Sequence, residues 1–143
     1  MSRHIFTSLL LCLSLASFAQ KDTTVFRGYL ENRDLEVYLR INFYDNDVMV
    51  PGQDFYGAVP GFLGKVNNPF CWIVVDAKVK SDKEAQLSLI NDYGSEDLTA
   101  TLVRKNDSLF VLQQGAGSSI KVPRNGKWFK LPKNIEFIKR WTR

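Results

Sequence analysis

Histidine and cysteine are almost missing from this chain: 143 residues hold one histidine, His4, and two cysteines, Cys12 and Cys71. Long apolar runs are missing too. The longest, from Ile5 to Leu15, is too short for a bilayer core of about 30 Å, which asks for about 20 apolar residues. It follows a charged tip, Ser2-Arg3-His4, and runs into Ser17-Phe18-Ala19, which supplies small side chains at alternate positions. That layout predicts a secretory signal peptide over 1–19, cut after Ala19, and one domain over 20–143. Cys12 could end a lipobox, but Leu11 precedes it where a small residue is needed, so cleavage without lipidation is expected.

Removal of the leader takes His4 and Cys12 with it, leaving one thiol and no imidazole. Ser-His-Asp and Cys-His catalysis both need imidazole and are excluded. Zinc or copper sites built from histidine or paired cysteine are excluded as well. A lone thiol makes no intramolecular disulfide, whereas small exported animal domains usually rely on several, so the composition points to a bacterial protein, periplasmic or extracellular. Carboxylate, lysine or tyrosine chemistry and an oxygen-ligated cation remain open. No later stretch approaches spanning length, so no membrane span is expected.

What is abundant is alternation of period two, broken by turn residues every 8 to 12 positions, the pattern of antiparallel strands. In Leu35–Phe43 the residues Leu35, Val37, Leu39, Ile41 and Phe43 share one face, and Glu36, Tyr38, Arg40 and Asn42 the other. Over Cys71–Lys80 the same logic puts Cys71, Ile73, Val75, Ala77 and Val79 in the core and Trp72, Val74 and Asp76 on the wet face. Asp45-Asn46-Asp47 reads as a turn rather than a calcium loop, because the glycine and the later bidentate glutamate of an EF-hand are absent. Asn125-Gly126 is the preferred type I′ pair. Ile135–Trp141 fits a strand better than a helix. About eight to ten strands are expected to form one antiparallel meander that closes into a barrel, with a β-sandwich as the alternative.

The leader ending Phe18-Ala19-Gln20, the strands around Tyr29, Tyr38 and Phe43 and the turn Asn91-Asp92-Tyr93-Gly94-Ser95 together resemble the small exported β-meander proteins of Gram-negative bacteria. The resemblance implies a lipocalin-like barrel and no particular activity. Arg27-Gly28-Tyr29 stands where lipocalins proper carry Gly-x-Trp.

Three features are candidates for function. Pro51 to Gly64 combines four glycines and two prolines with Phe55, Tyr56 and Phe62; a bent loop of this kind could present rings to a ligand at a barrel mouth, or be a bulged edge packed on the core. Tyr38 and Trp72 place planar rings on faces expected to be polar, suited to stacking a sugar or apolar ligand. From Lys121 to Arg143 eight basic residues face one acid, Glu136; Lys127, Lys130, Lys139 and Arg140 are candidates for contact with an anionic partner, although lysines also protect edge strands. Nucleic acid is not an expected partner. Cys71, on an apolar face, reads as a structural thiol. Glu96 and Asp97 lie on opposite sides of one strand and do not converge. The expectation is a non-enzymatic exported binding protein for a small apolar molecule or glycan, without cofactor or metal. An inhibitor or immunity factor acting on another exported protein is the alternative, and a carboxylate-dependent enzyme of cell-wall sugars a weaker third.

Overall fold

The computed structural model describes residues 22–141. The expected leader, with His4 and Cys12, lies outside the described residues. Eight antiparallel strands close a barrel in the circular order β1 (Arg27–Asn32), β2 (Val37–Asn42), β5 (Gly61–Lys65), β6 (Asn68–Ser81), β7 (Glu84–Asn91), β8 (Asp97–Arg104), β9 (Leu109–Gly117) and β12 (Asn134–Arg140). Chain order is wall order, as a meander requires, and β12 returns to pair with β1. Closure leaves no free sheet edge, and this decides between barrel and sandwich. The segment expected as a strand over Ile135–Trp141 is one, with the bounds Asn134–Arg140. Two small hairpins leave the wall: β3 (Val48–Met49) with β4 (Ala58–Val59), and β10 (Lys121–Arg124) with β11 (Lys127–Lys130).

The expected alternation holds in β2, where Val37, Leu39 and Ile41 enter the barrel, and in β7 and β8, where Ala85, Leu87, Leu89, Leu98, Ala100 and Leu102 do. In β6 it holds for only half the strand. Val74 opposes Leu89 while Asp76 opposes Ser88, so Val75 is an extra residue in the ladder. A bulge reverses the parity of everything before it. Ala77 and Val79 pack inward as expected, but so do Trp72 and Val74, and Cys71 and Ile73 face outward. The expected placement of Trp72 on a wet face is therefore corrected: it is wholly buried in the barrel core.

Cys71 and Ile73 stay dry because the β3–β4 hairpin folds back over the outside of β5 and β6. Val50, Val59, Phe62, Cys71 and Ile73 form a second buried cluster there, with Tyr38 and Tyr56 at its margin. The flap is tied down by a hydrogen bond from Gln53 Nε2 to Asp92 Oδ1.

Both barrel ends are plugged. At one, Val122 of the β10–β11 hairpin and the residues that flank its strands, Ile120 and Leu131, enter the main core. Asn125 and Gly126 both have positive φ (52° and 75°), as a type I′ turn demands. Gln114 clasps the hairpin's two legs, accepting from Ile120 N at 2.7 Å and donating to Pro132 O at 2.8 Å. At the other end Val25 and Phe26 close the core, with Phe26 N donating to the Tyr44 hydroxyl at 3.1 Å. An eight-stranded barrel is just wide enough for side chains to fill. Trp72, Phe26, Phe110 and Phe137 fill this one, each side chain contributing about 1.5–3 kcal/mol on burial.

Candidate functional site

With its interior occupied, the barrel offers its chemistry outside. Among the described residues the most exposed rings include Phe55 (93 %), Tyr93 (71 %) and Trp128 (55 %). Tyr93 and Trp128 converge. Tyr93 sits in the β7–β8 turn and Trp128 on β11, and both lean on Phe70 of β6. Phe70 and Trp128 meet edge to face at 5.0 Å, Phe70 and Tyr93 at 5.9 Å, and Tyr93 and Trp128 at 6.4 Å and 81°. Leaving two such rings in water is costly in lost burial, and here they stand as the walls of a cleft.

Asn91, Ser95, Glu96 and Lys121 complete that cleft, whose volume is about 330 Å³. Asn91 builds its rim. Buried at the end of β7, Asn91 accepts at Oδ1 from the backbone N–H of Ser95 (2.9 Å) and Glu96 (3.3 Å) and donates from Nδ2 to Ser95 Oγ (3.1 Å) and Glu96 Oε2 (3.4 Å). Gly94, at φ 70°, allows the turn to close. Glu96 Oε1 lies 3.5 Å from Lys121 Nζ. The cleft thus combines two near-perpendicular apolar walls with one anion, one cation and a side-chain amide. Glu96 is the single carboxylate among the described residues that line it.

The sequence candidates scatter. Tyr38 and Phe62 meet edge to face at 5.8 Å and line a separate hollow of about 250 Å³ with Pro51, Gly52, Cys71 and Phe70. Phe70 is common to that hollow and to the cleft. Tyr56 packs on the outer cluster, and Phe55 stands out from it, touching the Tyr56 ring at 5.6 Å. Trp72 is in the core, where its indole Nε1 donates to Lys121 O at 2.9 Å.

The basic candidates separate too. Lys127 and Lys130 are exposed on the β11 hairpin before β12 begins, and Arg140 lies where β12 ends. Lys139 corrects the expectation of a surface cation: its side chain turns inward, 5 % exposed, and its ammonium donates to Thr24 O and, at 3.1 Å, to Val25 O. Burial, and then nearby Arg104, hold its pKa below the ordinary lysine value. Arg140 faces outward but is engaged by Glu31 at 2.7 Å. Burial pushes the Cys71 thiol up to about 12, so it is inert as a nucleophile at neutral pH.

Tyr93 and Trp128 were both visible as rings beside turns, but their convergence with Phe70 is a tertiary event. Among the described residues no three His, Cys, Asp or Glu side chains gather as a metal site, and no helix is long and apolar enough to cross a membrane. The chain matches no protein-family model, no curated protein and no solved structure.

Proposed function

We propose that this is an exported, non-enzymatic binding protein that holds a glycan in the cleft between Tyr93 and Trp128. The observation that carries the reading is that pair of rings, more than half exposed and backed by buried Phe70, over a rim of Asn91, Glu96 and Lys121. Sugar rings offer an apolar C–H face to an aromatic wall and hydroxyls to carboxylate and ammonium groups, here Glu96 and Lys121, so the two halves of the cleft match the two halves of the ligand. Export rests on the leader pattern over 1–19. A single lining carboxylate, already paired with Lys121, supports binding over hydrolysis, which needs two carboxyl groups flanking the bond. Of the two expected places for a ligand, the barrel interior and an aromatic face, the filled core supports the aromatic face.

The test is tryptophan fluorescence and calorimetric titration with chitotetraose and cellotetraose, with sorbitol as a control lacking a ring. Saturable binding of a tetrasaccharide that Trp128→Ala abolishes is the expected result. Absence of binding to either, or binding unaffected by Trp128→Ala in a folded variant, overturns the reading.

Phe55 favours a second reading. An almost fully exposed phenylalanine at the tip of the flap is the sort of anchor that a protein partner buries. The protein would then block or protect another exported protein. Native mass spectrometry of material purified from its own host separates the two: a stoichiometric protein lost on Phe55→Ala supports this second reading, a bound saccharide the first.

A further inference from the structure

We propose that the outer face of β1, β2 and β12, remote in the fold from the aromatic cleft, binds a small oxyanion, a carboxylate or a phosphate ester, between Arg40 and Arg140. Register places these side chains. Tyr29 of β1 opposes Arg40 of β2 on one side and Arg140 of β12 on the other, so the three form one cross-strand row pointing away from the core. They border a groove of about 460 Å³ together with Arg27, Asp47 and Trp141, a size in the range of small-molecule sites.

Arg40 is the centre of the argument. It is half-buried, and its guanidinium carbon lies 5.4 Å from the centre of the Tyr29 ring. That is a cation–π contact, and a guanidinium held against an aromatic ring keeps N–H donors with which to meet a planar acceptor. Among the described residues Arg40 has no carboxylate partner, in contrast to Arg140, Arg33, Arg104 and Arg27. A partly desolvated cation without a counter-ion is unfavourable, and a bound oxyanion relieves it. Among the described residues Arg140 bonds Glu31 through Nε and makes no hydrogen bond through its terminal amino groups, which can serve a ligand. Arg27 meets Asp45 only at 3.8 Å. Asp47 is the carboxylate among the described residues that line the groove, Glu31 lies beside it against Arg140, and both charges oppose an anion.

Calorimetric titration of the purified full chain at low ionic strength with inorganic phosphate and, separately, acetate tests the site and distinguishes the two oxyanion classes. Saturable binding of one or both is expected, at least tenfold weaker in Arg40→Gln and less affected in Arg40→Lys, which keeps the charge without the fork. Asp47→Asn, an exposed change that should leave folding intact, is expected to tighten binding about twofold. Trp128→Ala is expected to leave the anion isotherm unchanged, so this site and the glycan cleft fail independently. Absence of saturation with either anion, unchanged binding in folded Arg40→Gln, or no tightening in Asp47→Asn overturns the proposal.

Discussion

The indole Nε1 of Trp72, inside the barrel, donates a 2.9 Å hydrogen bond to the main-chain carbonyl of Lys121. This bond joins the wall strand β6 to the hairpin that carries Trp128, so the largest core side chain also positions the hairpin half of the aromatic cleft.

Trp72→Phe removes that bond and part of the core volume at once. Destabilisation of about 1–3 kcal/mol is expected, read as a lower urea midpoint at unchanged slope. Faster amide exchange at Lys127 to Lys130 should accompany it, because the hairpin loses its tether before the wall does. Unchanged exchange there would separate the hairpin from Trp72.

Asn91→Ala touches neither aromatic wall, yet it strips four hydrogen bonds from the turn that presents Tyr93. A loss of about 1–3 kcal/mol is expected. Saccharide affinity should fall with it even where the variant is folded, since Tyr93 is no longer held against Phe70. Retained affinity in a destabilised variant would show that the turn serves folding alone.

Gly64 lies directly under the ring of Tyr38, and an added Cβ would fall inside contact distance of that ring. Gly64→Ala is expected to displace Tyr38 from Phe62 and cost about 1–3 kcal/mol through overpacking. The double variant Gly64→Ala with Tyr38→Ala should recover part of the loss, which thermal unfolding would reveal as non-additivity.

Cys71 makes a pH prediction with a definite sign. Burial raises its thiol to about 12 in the folded chain, against about 8.5 when unfolded. Between those values the unfolded chain has released a proton that the folded chain keeps, so stability falls as pH rises. Lys139 works in the other direction: its pKa is lowered on folding, so stability rises with pH toward the ordinary lysine value. Comparing the urea midpoint of Cys71→Ala with that of the unaltered chain across this range isolates the thiol, and the variant should show the shallower decline. The same burial predicts that a thiol reagent reacts with Cys71 only at the rate of unfolding.

Much of the fold was legible locally. The β2 alternation, the type I′ turn at Asn125-Gly126 and the strand Asn134–Arg140 each depend on neighbours within a few residues. Period-two patterning therefore determined an all-β meander, and composition determined that imidazole and disulfide chemistry are absent from its expected mature form.

Only the tertiary structure decided the rest. One unpaired residue, Val75, reversed the facing of Trp72 and Cys71, and the flap that keeps Cys71 and Ile73 dry is a long-range contact with no signature in β6 itself. Closure of β12 on β1 aligned Arg140 with Arg40 across Tyr29, while Lys139 turned in beneath Thr24 and Val25. Phe70, Tyr93 and Trp128 became one site because three separate turns and strands meet at one barrel end. Side-chain periodicity records which residues share a face of one strand; which faces meet is set by register, bulges and closure, and these are properties of strand pairs.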